Sequence, residues 1–159
     1  MVYIAGRDQN CLQLIDATAS DDLSCTLLES ALDGSSNAES SQVAFAGFVV
    51  WRSEDNGDRN QHDEQVFFVR QGRVRPLVPR TDLANHSPDR LSWGYCGCAS
   101  AQLALAMLME VLNDWPRVRR IYHDFHTLFV SRLPRAANWT ADGSDILAWA
   151  LELESTLPK

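Results

Sequence analysis

The run from Asn85 to Leu112, NHSPDRLSWGYCGCASAQLALAMLMEVL, constrains this chain more than any other. Its second part, Ala101 to Leu112, is apolar on every side apart from Gln102 and Glu110, so a helix there must be enclosed by the rest of the fold. That helix is too short to cross a bilayer, which takes about 20 residues. The first part is an Asn-His-Ser-Pro turn followed by a glycine-bearing loop. A loop that feeds a helix in this way needs unusual backbone geometry. It also sets free amides and two thiols, Cys96 and Cys98, at a helix N-terminus.

Periodicity places the remaining elements around that helix. Val43 to Trp51 predicts a strand, and Val66 to Arg70, Gln71-Gly72 and Val74 to Val78 predict a β-hairpin. Tyr3 to Ala5, with Leu12 and Leu14, reads as one or two short strands. Leu23, Leu27, Leu28 and Ala31 predict a short extra helix near 21–33 that Gly34 stops. The tract 53–64 holds turn and charged residues only and is expected to be a mobile acidic loop. Asp114 and Pro116 open a second helix carrying Val118, Ile121, Tyr122, Phe125, Leu128 and Phe129 on one stripe, closed by Pro134. A third, about 142–153, aligns Ile146, Trp149, Ala150 and Leu153. Short strands followed by three helices indicate an α+β fold: an N-terminal antiparallel sheet of three to five strands packed on a C-terminal three-helix unit. At 159 residues a single domain is expected.

Charge narrows the choice of partners. The net charge is −7, distributed as −8 over residues 1–70, +4 over 71–135 and −3 over 136–159. The acidic front half argues against general nucleic-acid binding, which rests on phosphate neutralisation. The opening residues MVYIAGRDQN have neither a basic region nor an apolar core, and no long apolar run follows. A cytoplasmic protein without membrane contact is expected, and its four cysteines are expected to be reduced thiols.

The matches Asn85, His86, Ser87, Pro88, Trp93, Gly94, Tyr95, Gly97 and Ala101 to Ala106 fall in a specific order and spacing, as do Tyr122, Phe125, Leu133, Pro134, Trp139, Asp145, Ile146 and Trp149. In these residues the chain resembles an uncharacterised family of small bacterial, archaeal and phage or plasmid proteins. That family's signature runs Asn-His-Ser-Pro, a spacer, then Trp-Gly-Tyr-Gly-Gly-Ser-Gly-Pro-Ala-Gln-Leu-Ala-Leu-Ala. The resemblance covers about 81–155 as a helical core, with 20–65 standing as an insertion, and it implies a fold unit without a transferable activity. Cys96, Cys98, Ala99, Ser100 and His126 depart from the family pattern, so any chemistry built on them is particular to this chain.

Three constellations could carry chemistry. Cys98, at the start of a helix whose dipole favours a thiolate, is a candidate nucleophile with His123 or His126 as base, and His86 is a second candidate catalytic group. Cys96, Cys98, His123 and His126 form a chemically sensible tetrahedral zinc set, although the two thiols stand closer in sequence than a usual ligand pair. The competing view puts both histidines on the solvated side of their helix. Free amides of the 94–100 loop could hold an anion, which makes His86, Trp93, Gly94, Tyr95 and Gly97 the expected binding residues; the same residues also suit a packed structural junction. No P-loop lysine follows, and no cofactor is expected.

Size, acidity and the phage- and plasmid-associated resemblance favour a non-enzymatic interaction or accessory protein, carried by a mobile element and modulating a host or defence protein. Five Trp and an apolar third helix leave room for a homodimer. One alternative is a small thiol- or metal-dependent enzyme using 86–98 with 123–126. The other is a nucleic-acid binder through the basic edge Arg70, Arg73, Arg75 and Arg80.

Overall fold

The computed structural model describes residues 43–51 and 62–157. The strands expected near Tyr3–Ala5 and the helix expected at 21–33 lie outside the described residues. Within them the chain is α+β: a four-stranded antiparallel sheet and three helices. The strands are β1 (Val43–Trp51), β2 (His62–Arg70), β3 (Arg73–Pro76) and β4 (Trp139–Asp142), in the order β3-β2-β1-β4. The helices are α1 (Cys98–Leu112), α2 (Trp115–Leu128) and α3 (Gly143–Thr156).

β2 and β3 form the expected hairpin. Gln71 and Gly72 both adopt positive φ (51° and 71°), as a tight two-residue turn between twisted strands requires. β2 begins earlier than the charge pattern suggested, because Trp51 pairs with His62, Val50 with Asp63 and Val49 with Glu64. The acidic tract expected as a loop through Glu64 therefore ends in a strand. Ladder bonds are made by the backbone, so charged side chains do not prevent them.

β4 was not legible in the sequence. It pairs with β1 over Ala44 to Gly47, nearly a hundred residues away, and has only four residues of its own. Past its end, the Asn138 side chain accepts a hydrogen bond from the Val49 amide at 2.7 Å and so extends the protection of the β1 edge.

The apolar rod forms as expected but starts three residues early, at Cys98. Ten consecutive residues, Ser100 to Met109, are buried within it. Asn113 ends the helix in the left-handed conformation (φ 47°) with its amide bonded to the Met109 carbonyl. On α2 the Asp114 side chain accepts from the Arg117 amide and Pro116 sits in the first turn; Val118, Ile121, Tyr122, Phe125 and His126 point inward. The helix stops at Leu128, and a 3₁₀ turn (Val130–Arg132) carries the chain to Pro134. One sheet face, with Phe45, Val66 and Phe68, joins these helices in the main core. The other face carries a smaller cluster around Ala46 and Val69.

Candidate functional site

The segment between Leu77 and Gly97 has no helix or strand, yet it is held along its length. Gln102 on α1 is fully buried, and both ends of its amide are saturated. Its Oε1 accepts from the amides of His86 (2.8 Å) and Ser87 (3.2 Å). Its Nε2 donates to the carbonyls of Pro79 (2.5 Å) and Ala84 (3.0 Å). A lone polar residue inside an apolar helix is tolerable only when fully bonded, and here it straps the Asn-His-Ser-Pro turn to the core. His86 adds a second strap, because its Nε2 shares a hydrogen bond with the Tyr122 hydroxyl of α2 at 3.0 Å.

Farther along, Trp93 is wholly buried, and its indole N–H is shared between the carbonyls of Pro134 and Ala137, both at 3.1 Å. Gly94 has φ +76°, and its amide donates to the Val130 carbonyl. Tyr95 lies against Gly97, with the Arg135 guanidinium over its ring. Trp93 and Gly94 thus fix the junction.

Ser100, buried in the first turn of α1, ties the loop end to α2. Its hydroxyl accepts from the Gly97 amide (3.1 Å) and lies 2.7 Å from the Tyr95 carbonyl, to which its single proton donates. His126 Nε2 lies 3.1 Å from the same oxygen. Helical periodicity alone offers His126 a place on the solvated side of α2. Instead it is 8% exposed, because the loop preceding α1 folds back over that face of α2. Burial pushes its pKa below the ordinary imidazole value; a bond to the Tyr95 backbone opposes the shift, and the nearby His123 and His86 add to it.

A histidine held neutral by burial makes stability depend on pH with a definite sign. The unfolded chain binds the proton more readily, so this contribution is complete above the unfolded pKa of about 6.5 and is lost as pH falls from there toward the depressed folded value. The denaturation midpoint is therefore expected to drop between pH 7.5 and pH 5.5 by more in the native chain than in His126→Gln. Equal drops in the two proteins would remove His126 as the cause.

Cys96 and Cys98 are free and exposed on either side of Gly97. Gly97 is fully extended (φ −163°, ψ 176°), which sets the two flanking Cα atoms roughly 7 Å apart, at the outer limit for a disulfide. His123 is exposed, and its ring lies 4.0 Å from that of Tyr122, tilted by 35°. Among the described residues no group of three or more His, Cys, Asp or Glu side chains converges as a metal would require, so Cys96, Cys98, His123 and His126 do not come together. Gln102 and Ser100, which organise the loop, are not among the site residues expected from the sequence. For Gln102 a signal was present in its isolation on an apolar helix.

Three arginines of the basic edge are engaged by the chain itself. Arg70 donates to the Glu110 carbonyl (2.9 Å), and Arg75 pairs with the Glu110 carboxylate (2.7 Å) while lying over the Phe68 ring. Arg80 forms a two-bond pair with Asp82, both bonds 3.0 Å, which raises the arginine pKa and lowers that of the carboxyl.

Beside the loop runs a cleft of about 730 Å³ between the start of β2 and the 89–95 segment. Its lining includes His62, Asp63, Glu64, Asp89, Arg90 and Tyr95. Carboxylates outnumber cations there.

Residues 55–152 match the model of a family of unknown function, DUF6166, and the matched stretch takes in β2, β3, α1, α2, β4 and most of α3. No curated protein and no solved structure matches the chain.

Proposed function

We propose that this chain, which belongs to the DUF6166 family of unknown function, is a non-enzymatic interaction module that docks a basic segment of a protein partner in the cleft beside the 85–100 loop. The observation that carries this reading is how the loop's reactive groups are used. The Ser100 hydroxyl is enclosed and saturated, and His126 is spent on it. Gln102 and Trp93 bond only to backbone. The segment they fix contributes Ser92 and Tyr95 to a cleft that also holds the carboxylates of Asp63, Glu64 and Asp89, with Glu64 3.5 Å from His62 Nε2. Rigid surfaces lose little entropy on association, and an acidic groove favours a cationic partner by charge complementarity. A host or defence protein met by a mobile element is the class of partner that the phage- and plasmid-associated resemblance supports.

The nucleic-acid alternative loses support because Arg70, Arg75 and Arg80 are bonded within the chain. The thiol-dependent alternative keeps one supporting feature, the exposure of Cys98 at the first turn of α1.

Affinity capture from the host with the full chain is expected to recover a stoichiometric protein. Charge reversal at the cleft, Glu64→Lys with Asp89→Lys, is expected to abolish that recovery. Recovery unchanged by the double reversal would remove the cleft from the reading, and a reactive Cys98 with no stoichiometric partner would favour the thiol alternative.

A further inference from the structure

We infer that the exposed side of α2 carrying Arg119 and His123, next to the buried Tyr122, is a phosphate-binding site formed by Arg119, His123 and His86. Arg119 and His123 are four residues apart on the helix, so their side chains are surface neighbours, roughly 6 Å apart at Cβ. The His86 ring, brought in by the strapped turn, lies 5.6 Å from the His123 ring and 5.6 Å from that of Tyr122. The Tyr122 ring lies 4.0 Å from that of His123, and its hydroxyl is bonded to His86 Nε2.

The pairing pattern of α2 singles out Arg119. Arg117 makes a two-bond ion pair with Glu154, both bonds 2.8 Å, and Arg120 is engaged as well. Among the described residues Arg119 has no carboxylate partner. A guanidinium fork next to two imidazoles supplies the planar, multi-donor geometry that a phosphate group fits.

The charged and titratable groups facing these imidazoles can be named element by element. On α2 they are Arg119, Tyr122, His126 and Asp124; the last lies about 100° round the helix from His123. The loop contributes His86. From α1, Gln102 bonds the backbone amide of His86 and Ser100 lies against His126; neither carries a charge. Arg119 supplies a fixed positive charge here within a chain whose net charge is −7, so an anion held there is not merely following the overall field.

The test is a titration of the full chain with inorganic phosphate at pH 6.0 and constant ionic strength in chloride, followed by the imidazole proton NMR signals. Saturable shifts of the His123 and His86 signals are expected. Affinity is expected to fall at least roughly fivefold in Arg119→Gln, which removes the fork. Arg73→Gln, at an exposed hairpin arginine, is expected to leave the affinity unchanged. Tighter binding of phosphoserine than of phosphate would identify a monoester as the ligand, and the reverse order free phosphate. Shifts that do not saturate, an undiminished affinity in Arg119→Gln, or equal binding of acetate would overturn the site.

Discussion

Replacing Gln102 with Leu is expected to lower the unfolding free energy by about 3 kcal/mol, although the two side chains have similar volume and leucine suits the helix better. The loss comes from partners left behind. The amides of His86 and Ser87 and the carbonyls of Pro79 and Ala84 all end on this one side chain. A buried amide or carbonyl stripped of its partner costs on the order of 1–3 kcal/mol, reduced where the segment can relax toward water. Equilibrium denaturation measures the loss, and hydrogen exchange localises it, with the His86 and Ser87 amides expected to exchange faster than those in the middle of α1. A change below about 1 kcal/mol would mean that the straps contribute little net stability.

Gly94→Ala is expected to cost about 3 kcal/mol or more, and the comparison that explains it is Gly72→Ala, expected to cost about 1 kcal/mol. Both glycines have positive φ, +76° and +71°. A methyl group at Gly72 meets nothing within 4 Å. At Gly94 it would lie 2.7 Å from the Arg135 Cα and 2.9 Å from the Leu133 carbonyl oxygen, both backbone atoms that cannot step aside. The difference between the two variants isolates the packing contribution from the conformational one. Denaturant midpoints that fall equally in both would show that the close approach of the 93–95 and 133–135 segments is relieved at no cost.

The helices were readable because each carries its evidence locally. An apolar residue every three or four positions, Asp114 with Pro116 at a start and the enclosed composition of α1 are properties of neighbours in the chain. The hairpin was readable for the same reason, since Gln71-Gly72 sits between two apolar runs. β4 was not, because the partner that makes Trp139–Asp142 a strand is β1, and four residues carry too little pattern to announce it. His126 was misplaced on similar grounds. Its helix position marks it as a border residue, and only the fold-back of the loop across α2 takes it out of water.

The candidate site divides in the same way. From the residues alone one learns that an Asn-His-Ser-Pro turn and a glycine loop must lead into a buried helix, and that a lone glutamine rides on that helix. Which groups then meet was decided by tertiary structure: Ser100 with His126, Gln102 with four backbone groups, His86 with Tyr122 and His123, Arg75 with Glu110. The physical reason is range. Periodicity, turn chemistry and capping act over one or two turns of chain, whereas a hydrogen bond or a ring contact depends on where distant segments arrive once the apolar rod has been enclosed.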